Sequence, residues 1–530
     1  MKAYYLTFTV AVCLFSCQLD KNPLTSLSPS SFWNTEQDLR MALNNIYQQT
    51  FIGGFRTDLQ SIDVYGSNPN LVSSGTYTPP NTDDIWTTCY KQIRVTNSFL
   101  ENYQKAGISD DLKRRYAGEA RFFRAYFYMY LLRRFGDVPY VDKTLDLNSP
   151  ELFEPRAKRN DVLNRMLEDI QFAVDNIPSK SALSSDVGRI TKGAALTLQA
   201  RVGLYFGTLY KFHNLGDYRN LLSLAKTASK AVIDSGEYSL YGDYRNLFLQ
   251  AGNDSPESIM TLRHTPDAGP STNRSRQMVF DFTFCPTRHL ADAFLCRDGL
   301  PINKSPLFKG YLPLGAEFEG RDPRMAQTLW RPYDPDYQVQ PQPFVPSFAA
   351  NTTTGYMFKK YAADISPSYC HDMLMRYAEV LLIYAEAAFE LEGAISDEDL
   401  DVSINALRRR FAGDEDCLPG LTNAFVGDNG LDMREEIRRE RRVELAGECF
   451  RYDDLIRWKT AEDELPQDIL GTMLDGDVYP NVQKPLTPDG FIILQNASTR
   501  TFNKDRDYLF PLPLLELSLN ENLVQNPNWE

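Results

Sequence analysis

Histidine is almost missing from this chain: there are four, at 213, 264, 289 and 371, in 530 residues. They lie far apart, with no H-x-x-x-H pair and no cysteine at ligand spacing, so they mark no zinc centre. G-x-S-x-G, the P-loop and G-x-G-x-x-G are absent too, and none of the catalytic or nucleotide-binding sites built on them is present. The eight cysteines include no C-x-x-C pair and no regular spacing. That indicates neither a cysteine zinc site nor a disulfide scaffold, although an exported chain permits a bridge such as Cys285 to Cys296. Positive charge is outnumbered, 56 Lys and Arg against 70 Asp and Glu, a net charge of -14. That balance argues against nucleic acid and anionic lipid as partners, while leaving room for a local patch that takes an acidic sugar. Long apolar runs are scarce as well. After the first sixteen residues no stretch approaches the 18 uncharged apolar residues of a membrane-spanning helix.

The chain does open on a short apolar run. Lys2 precedes Tyr4 to Phe15, and Leu14-Phe15-Ser16 leads into Cys17. A positive charge, about a dozen apolar residues and a small residue before the cut describe a secretory signal over residues 1–16. The cysteine directly after it makes the segment resemble a bacterial lipoprotein signal, with Cys17 as the lipidated first residue. Residues 17–30 then read as an extended polar spacer. The mature protein is expected to be tethered to a membrane, not embedded in one.

The rest reads as helix. Thr35 caps a helix from about Glu36 to Gln49, with Leu39, Leu43, Ile46 and Tyr47 on one face. Trp86, Tyr90, Ile93 and Asn97 mark a second. The run from Glu119 to Phe135 is apolar or aromatic nearly all round and should be deeply buried, with Gly136 stopping it in the left-handed conformation and Pro139 preventing its resumption. Residues 191 to 235 predict a helix hairpin in which Ala200, Gly203, Ala225 and Ala228 allow close approach. A second hairpin is expected from about Met373 to Arg410. No Pro/Ser/Gly-rich linker divides the chain, so one helical body with long inserted loops is expected, the largest variable insertion at about 240–365.

The chain is organised around residues 431 to 458, read as a long helix followed by a shorter one. Arg434, Arg438, Arg439, Arg441 and Arg442 interleave with Glu435, Glu436, Glu440 and Glu444, many of them three or four apart. Such interleaving cancels the field that a phosphate surface needs and marks a structural ion-pair helix. Val443, Ala446 and Phe450 give it a buried side.

This stretch also carries a resemblance. Arg438-Arg439-Glu440-Arg441-Arg442-x-Glu444-Leu445, followed by Arg451-Tyr452-x-Asp454-Leu455-x-Arg457-Trp458, resembles a signature of the SusD/RagB family. Leu24-Thr25 to Phe32-Trp33, the run from Glu119 to Pro139, the Arg376 to Ala387 hairpin and the tail from Phe510 to Pro527 are similar to other landmarks of that family. The resemblance implies a mainly α fold of tetratricopeptide-like helix pairs over residues 31–530. It also implies a non-catalytic, lipid-anchored protein on the cell surface of the outer membrane. Such a protein captures oligo- or polysaccharide and delivers it to a SusC-like, TonB-dependent transporter. Capture of peptides, as by RagB-like members, is the near alternative. A glycoside hydrolase is the more distant one, since paired carboxylates cannot be recognised without a structure.

Candidate ligand residues follow from composition. Two loop-rich stretches, 63–84 and about 266–361, are dense in aromatics, asparagine and proline, and sugar rings need flat apolar platforms beside amide and carboxylate hydrogen-bonders. Tyr65, Asn68, Tyr77, Asn81, Trp330, Tyr333 and Tyr337 are the residues expected to bind. No cofactor is expected. Asp428-Asn429-Gly430-x-Asp432 offers oxygens to calcium but lacks the full loop pattern, and reads first as a turn that caps the organising helix.

Overall fold

The computed structural model describes residues 32–50, 55–268, 284–335, 343–348, 350–362, 369–413 and 417–529. The proposed anchor Cys17 and the candidate Tyr337 lie outside them.

Six long helices come first: α1 (Glu36–Tyr47), α2 (Asp84–Asn102), α3 (Asp110–Phe135), α4 (Arg159–Asn176), α5 (Lys192–His213) and α6 (Arg219–Asp234). The starts follow the capping chemistry. Thr35 and Asp38 form a reciprocal capping box on α1, and Thr191 Oγ1 accepts from the Ala194 amide at the head of α5. Along α3 sixteen residues are buried, so helix propensity matters less there than the core that closes over it. Gly136 ends α3 with φ 74° and ψ -114°, a positive φ but not the left-handed helical cap.

From α2 to α6 each helix packs on the next, and α5 and α6 approach closely, as the small residues predict. A Cβ on Gly203 would stand 2.7 Å from the Leu221 carbonyl oxygen, so only glycine fits that crossing. α7 (Tyr377–Glu392) packs against α5 and α6 and completes the layer. The second hairpin differs from expectation. Asp372–Arg376 is a strand, paired antiparallel with Ser258–Leu262, and the returning arm breaks at Ser403 into Asp397–Val402 and Ile404–Arg409.

The organising stretch is α8 (Met433–Glu444) and α9 (Arg451–Trp458). Val443 and Ala446 enter a second hydrophobic core with Phe284, Phe294, Trp330, Phe344, Tyr356 and Phe358. The loop-rich stretch is therefore packed round a centre of its own and is joined to the helical body by α8. With Ser258–Leu262 and Asp372–Arg376 as β2 and β4, two further antiparallel pairs complete the described strands: β1 (Val64–Tyr65) with β3 (Cys285–Pro286), and β5 (Ile469–Met473) with β6 (Phe491–Gln495). Cys285 and Cys296 are both free thiols. Among the described residues no helix is long and apolar enough to cross a membrane.

Candidate ligand-binding surface

α8 anchors whatever the loops present. Glu435 and Glu436 pair within the helix, with Arg438 and Arg439, whereas Glu440 and Glu444 pair outside it. Glu444 accepts from Arg376 at 2.8 Å, Arg410 at 2.9 Å and Arg324 at 3.2 Å, and Glu440 accepts from Arg324 at 2.9 Å. Arg441 and Arg457 meet on Asp454, each at 2.8 Å, and Arg457 also reaches Glu386 at 2.7 Å. Each of these carboxylates is buried, and the arginines beside Glu444 hold its carboxyl well below the usual range. Such a network fixes the floor beneath the loops.

The β5–β6 hairpin projects a long turn, 474–490, and it meets Leu314, Pro346, Phe348, Thr354 and Gly355. Asp475, itself buried, accepts the Leu314 amide at 3.0 Å, and the Thr472 amide donates to Thr354 at 2.8 Å. Gly355 makes this close approach possible: a Cβ there would stand 2.2 Å from Thr472 Cγ2. Above the contact Tyr479 donates its hydroxyl to the Pro346 carbonyl at 2.8 Å and meets Phe348 edge to face, with ring centroids 5.3 Å apart. Tyr333 lies beside them and is 49% exposed; burial first, then this neighbouring phenol, pushes the Tyr479 hydroxyl pKa up. Lys484 stands 5.7 Å over the Phe348 ring. These residues form an aromatic ledge with an ammonium at its edge.

The predicted residues separate on this geometry. Tyr333 is on the ledge. Trp330 is 5% exposed, inside the second core, with its ring beside Phe344 and the Lys359 ammonium over it at 4.7 Å. Tyr65 is buried, and its hydroxyl donates to the Leu494 carbonyl at the root of β6. Tyr77 packs edge-on to Phe510 and Trp529, and the Asn81 carbonyl accepts the Leu515 amide, so both are held against the C-terminal tail. Asn68 is exposed. Phe348 and Tyr479 were not singled out. Tyr479 lies in Asp475-Gly476-Asp477-Val478-Tyr479-Pro480-Asn481, a stretch with the same aromatic, asparagine and proline character, and that was the available signal.

The possible calcium turn is otherwise engaged. Lys304 Nζ donates to the carbonyls of Asn429 at 3.0 Å and Gly430 at 2.6 Å, and Asp432 caps α8 by accepting the Glu435 amide. Among the described residues no group of three or more His, Cys, Asp and Glu side chains is arranged to hold a metal ion. The histidines contact structural partners: His213 reaches the Ile456 carbonyl, His289 that of Asp468, and His264 pairs with Asp372 at 2.9 Å.

Comparison with known proteins gives this architecture its class. A family model described as the SusD family matches residues 256–529, and one described as starch-binding associating with outer membrane matches residues 20–204. The chain belongs to the SusD family. It is 27% identical to SusD-like protein P2 of Formosa agariphila, over 99% of each chain. Among solved structures it is similar to a SusD-like carbohydrate-binding protein of Bacteroides fragilis: TM-score 0.81, 25% identity, 93% of this chain and 100% of that one. A laminarin-binding SusD-like protein shares the fold with TM-score 0.64 and 20% identity, over 93% of this chain and 100% of that one.

Proposed function

We propose that this protein is a non-catalytic glycan-binding lipoprotein of the outer-membrane surface, anchored through Cys17, that hands captured saccharide to a SusC-like, TonB-dependent transporter. The observation that carries the reading is the ledge of Tyr333, Tyr479 and Phe348, set on packed loops above a rigid ion-paired floor. Tyr333 keeps its ring 49% exposed, with Tyr479 and Phe348 partly buried beside it, and such a ring suits the C–H face of a sugar. The carbohydrate-binding descriptions of similar SusD-like proteins support the same class. Asn68 and Tyr337 stay in the proposed ligand set. Trp330, Tyr65 and Tyr77 support the loops from below, and Asn81 holds the tail.

The test is affinity electrophoresis of the soluble form, residues 18–530, through gels containing starch, mannan, xylan, pectin, laminarin or mucin glycans, with Tyr333→Ala and Tyr479→Ala alongside. Retardation by one polysaccharide that both substitutions weaken supports the reading and names the sugar class. Retardation that survives both removes the ledge as the site. No retardation, together with measurable binding of peptides, replaces glycan capture by peptide capture.

A further inference from the structure

A second open cleft, of about 440 Å³, lies away from the ledge. One wall is the α8 stripe Glu435, Arg438, Arg439 and Arg442, spaced i, i+3, i+4, i+7, and the facing wall carries Arg451 and Trp458 of α9. Four guanidiniums meet in one depression.

Their pairing is of two kinds. Arg442 is gripped by Asp63, with Nε at 2.9 Å, and also donates to the His289 carbonyl at 3.0 Å. Arg451 is bound by Glu464 and stands 3.5 Å from Asp63. These two are committed to structure. Among the described residues the carboxylate that Arg438 reaches is Glu435, at 3.4 Å, whose side chain is 60% exposed. Arg439 reaches Glu436 at 3.3 and 3.5 Å. Both pairs sit at the limit of a hydrogen bond, whereas the interior arginines Arg376, Arg324 and Arg457 each make at least one bond of 2.7 to 2.9 Å.

Arg438 is held in place without being satisfied. Trp458 and Phe212 back its guanidinium at 4.6 and 5.1 Å, its side chain is 12% exposed, and its buried Nε has no acceptor among the described residues. Burial outweighs its distant carboxylates and pulls its pKa down. A preplaced planar donor with unused N–H groups suits an oxyanion, which forms short charge-assisted bonds to it. Displacing Glu435 costs little, because its carboxylate is 60% exposed and the 3.4 Å contact is long. Since every cleft arginine has an acid nearby, the depression has no excess field for a polyanion, and the ligand group must be small.

We propose that this cleft binds a single oxyanion, a carboxylate or a sulfate ester, through Arg438 and Arg439. That the group is carried by an acidic saccharide rests on the glycan reading above; the oxyanion site itself does not.

The experiment is isothermal titration of the full chain in mild detergent at low ionic strength with sodium galacturonate, sodium sulfate and glucose. Galacturonate or sulfate should bind and glucose should not, with affinity falling as sodium chloride is added. Binding by galacturonate alone assigns a carboxylate, and by sulfate alone a sulfate ester. Arg438→Gln combined with Arg439→Gln should weaken binding at least tenfold. Arg434→Gln, on the same helix but bonded to Glu390 at 2.7 Å outside the cleft, should leave it unchanged. As a check on unsubstituted protein, modification of Arg438 by phenylglyoxal, read by peptide mass spectrometry, should slow when the anion is present. No heat from either anion at millimolar concentration, or equal affinity in the double variant, overturns the proposal. Retardation by a neutral polysaccharide depends on the ledge and should survive the double variant, so the two readings fail separately.

Discussion

Arg376 wraps Glu444 from two sides: one Nη donates to the Glu444 carboxylate at 2.8 Å, and the other to the Glu444 backbone carbonyl at the same distance. Both residues are buried, and Arg324 and Arg410 share the same carboxylate. Removing the charge leaves three guanidiniums without it, which is the expensive way to alter a buried ion pair. Glu444→Gln should therefore lower unfolding free energy by about 3–5 kcal/mol in urea titration. The depressed folded pKa sets the sign with pH. Glu444 contributes stability that is present above the ordinary glutamate value of about 4.3 and is lost as pH falls through the folded value. Wild type should lose stability faster than Glu444→Gln below about pH 4.

Glu317 titrates in the opposite sense. It is buried, its Oε2 accepts the Tyr356 hydroxyl at 2.9 Å, and burial pushes its carboxyl up to about 7. Between about pH 4.3 and 7 the folded state then holds a proton that the unfolded state has released, so this group's contribution falls as pH rises through that window. Glu317→Gln should remove that slope and leave the protein more stable than wild type at pH 8, by an amount on the order of 3–4 kcal/mol. Equal pH profiles from pH 4 to 8 would refute the assignment.

How much of this was legible follows from what each inference needed. Thr35, Thr191 and Asp432 announce their helices because a capping side chain bonds within its own turn. The α5–α6 crossing was legible in small residues on both helices. α8 was recognisable as an ion-pair helix, but the partners of Glu440 and Glu444 were not, since Arg324 reaches Glu444 across 120 residues of sequence. Met373–Arg376 was read as helix because a short apolar run has no period of its own, and its partner strand is more than a hundred residues away. Composition found the loops yet could not tell the exposed Tyr333 from the buried Trp330 three residues earlier. Both satisfy the same pattern, and the difference lies in which one enters the second core.

That difference is measurable. Trp330→Ala should cost about 3–5 kcal/mol, the usual range for emptying a core indole site. Tyr333→Ala should change stability by no more than about 0.5 kcal/mol, because its ring is 49% exposed and alanine inherits the same φ of 66°. Ligand retardation should respond in the reverse order once Trp330→Ala is compared in its folded fraction. A Tyr333→Ala protein that unfolds as readily as Trp330→Ala would place Tyr333 in the core and remove it from the ledge.

Gly203 makes the sharpest claim about the helical body. Substituting alanine for glycine inside a helix ordinarily gains roughly 0.5–1 kcal/mol, through reduced freedom of the unfolded chain. Here the new methyl would stand 2.7 Å from the Leu221 carbonyl oxygen and 2.9 Å from the Ala225 nitrogen, both backbone atoms of α6. Backbone cannot rotate aside, so the helices must separate, and an overpacked contact of this kind costs about 1–3 kcal/mol. Gly203→Ala is therefore expected to destabilise in thermal melts. Gly207→Ala should cost less, because its nearest atom, at 2.8 Å, belongs to the Leu222 side chain, which can change rotamer. Gly427, in the helix Asn423–Asp428, has nothing within 4 Å, and Gly427→Ala should be neutral or stabilising. If Gly203→Ala proved as harmless as Gly427→Ala, α5 and α6 would have to sit farther apart than this packing allows.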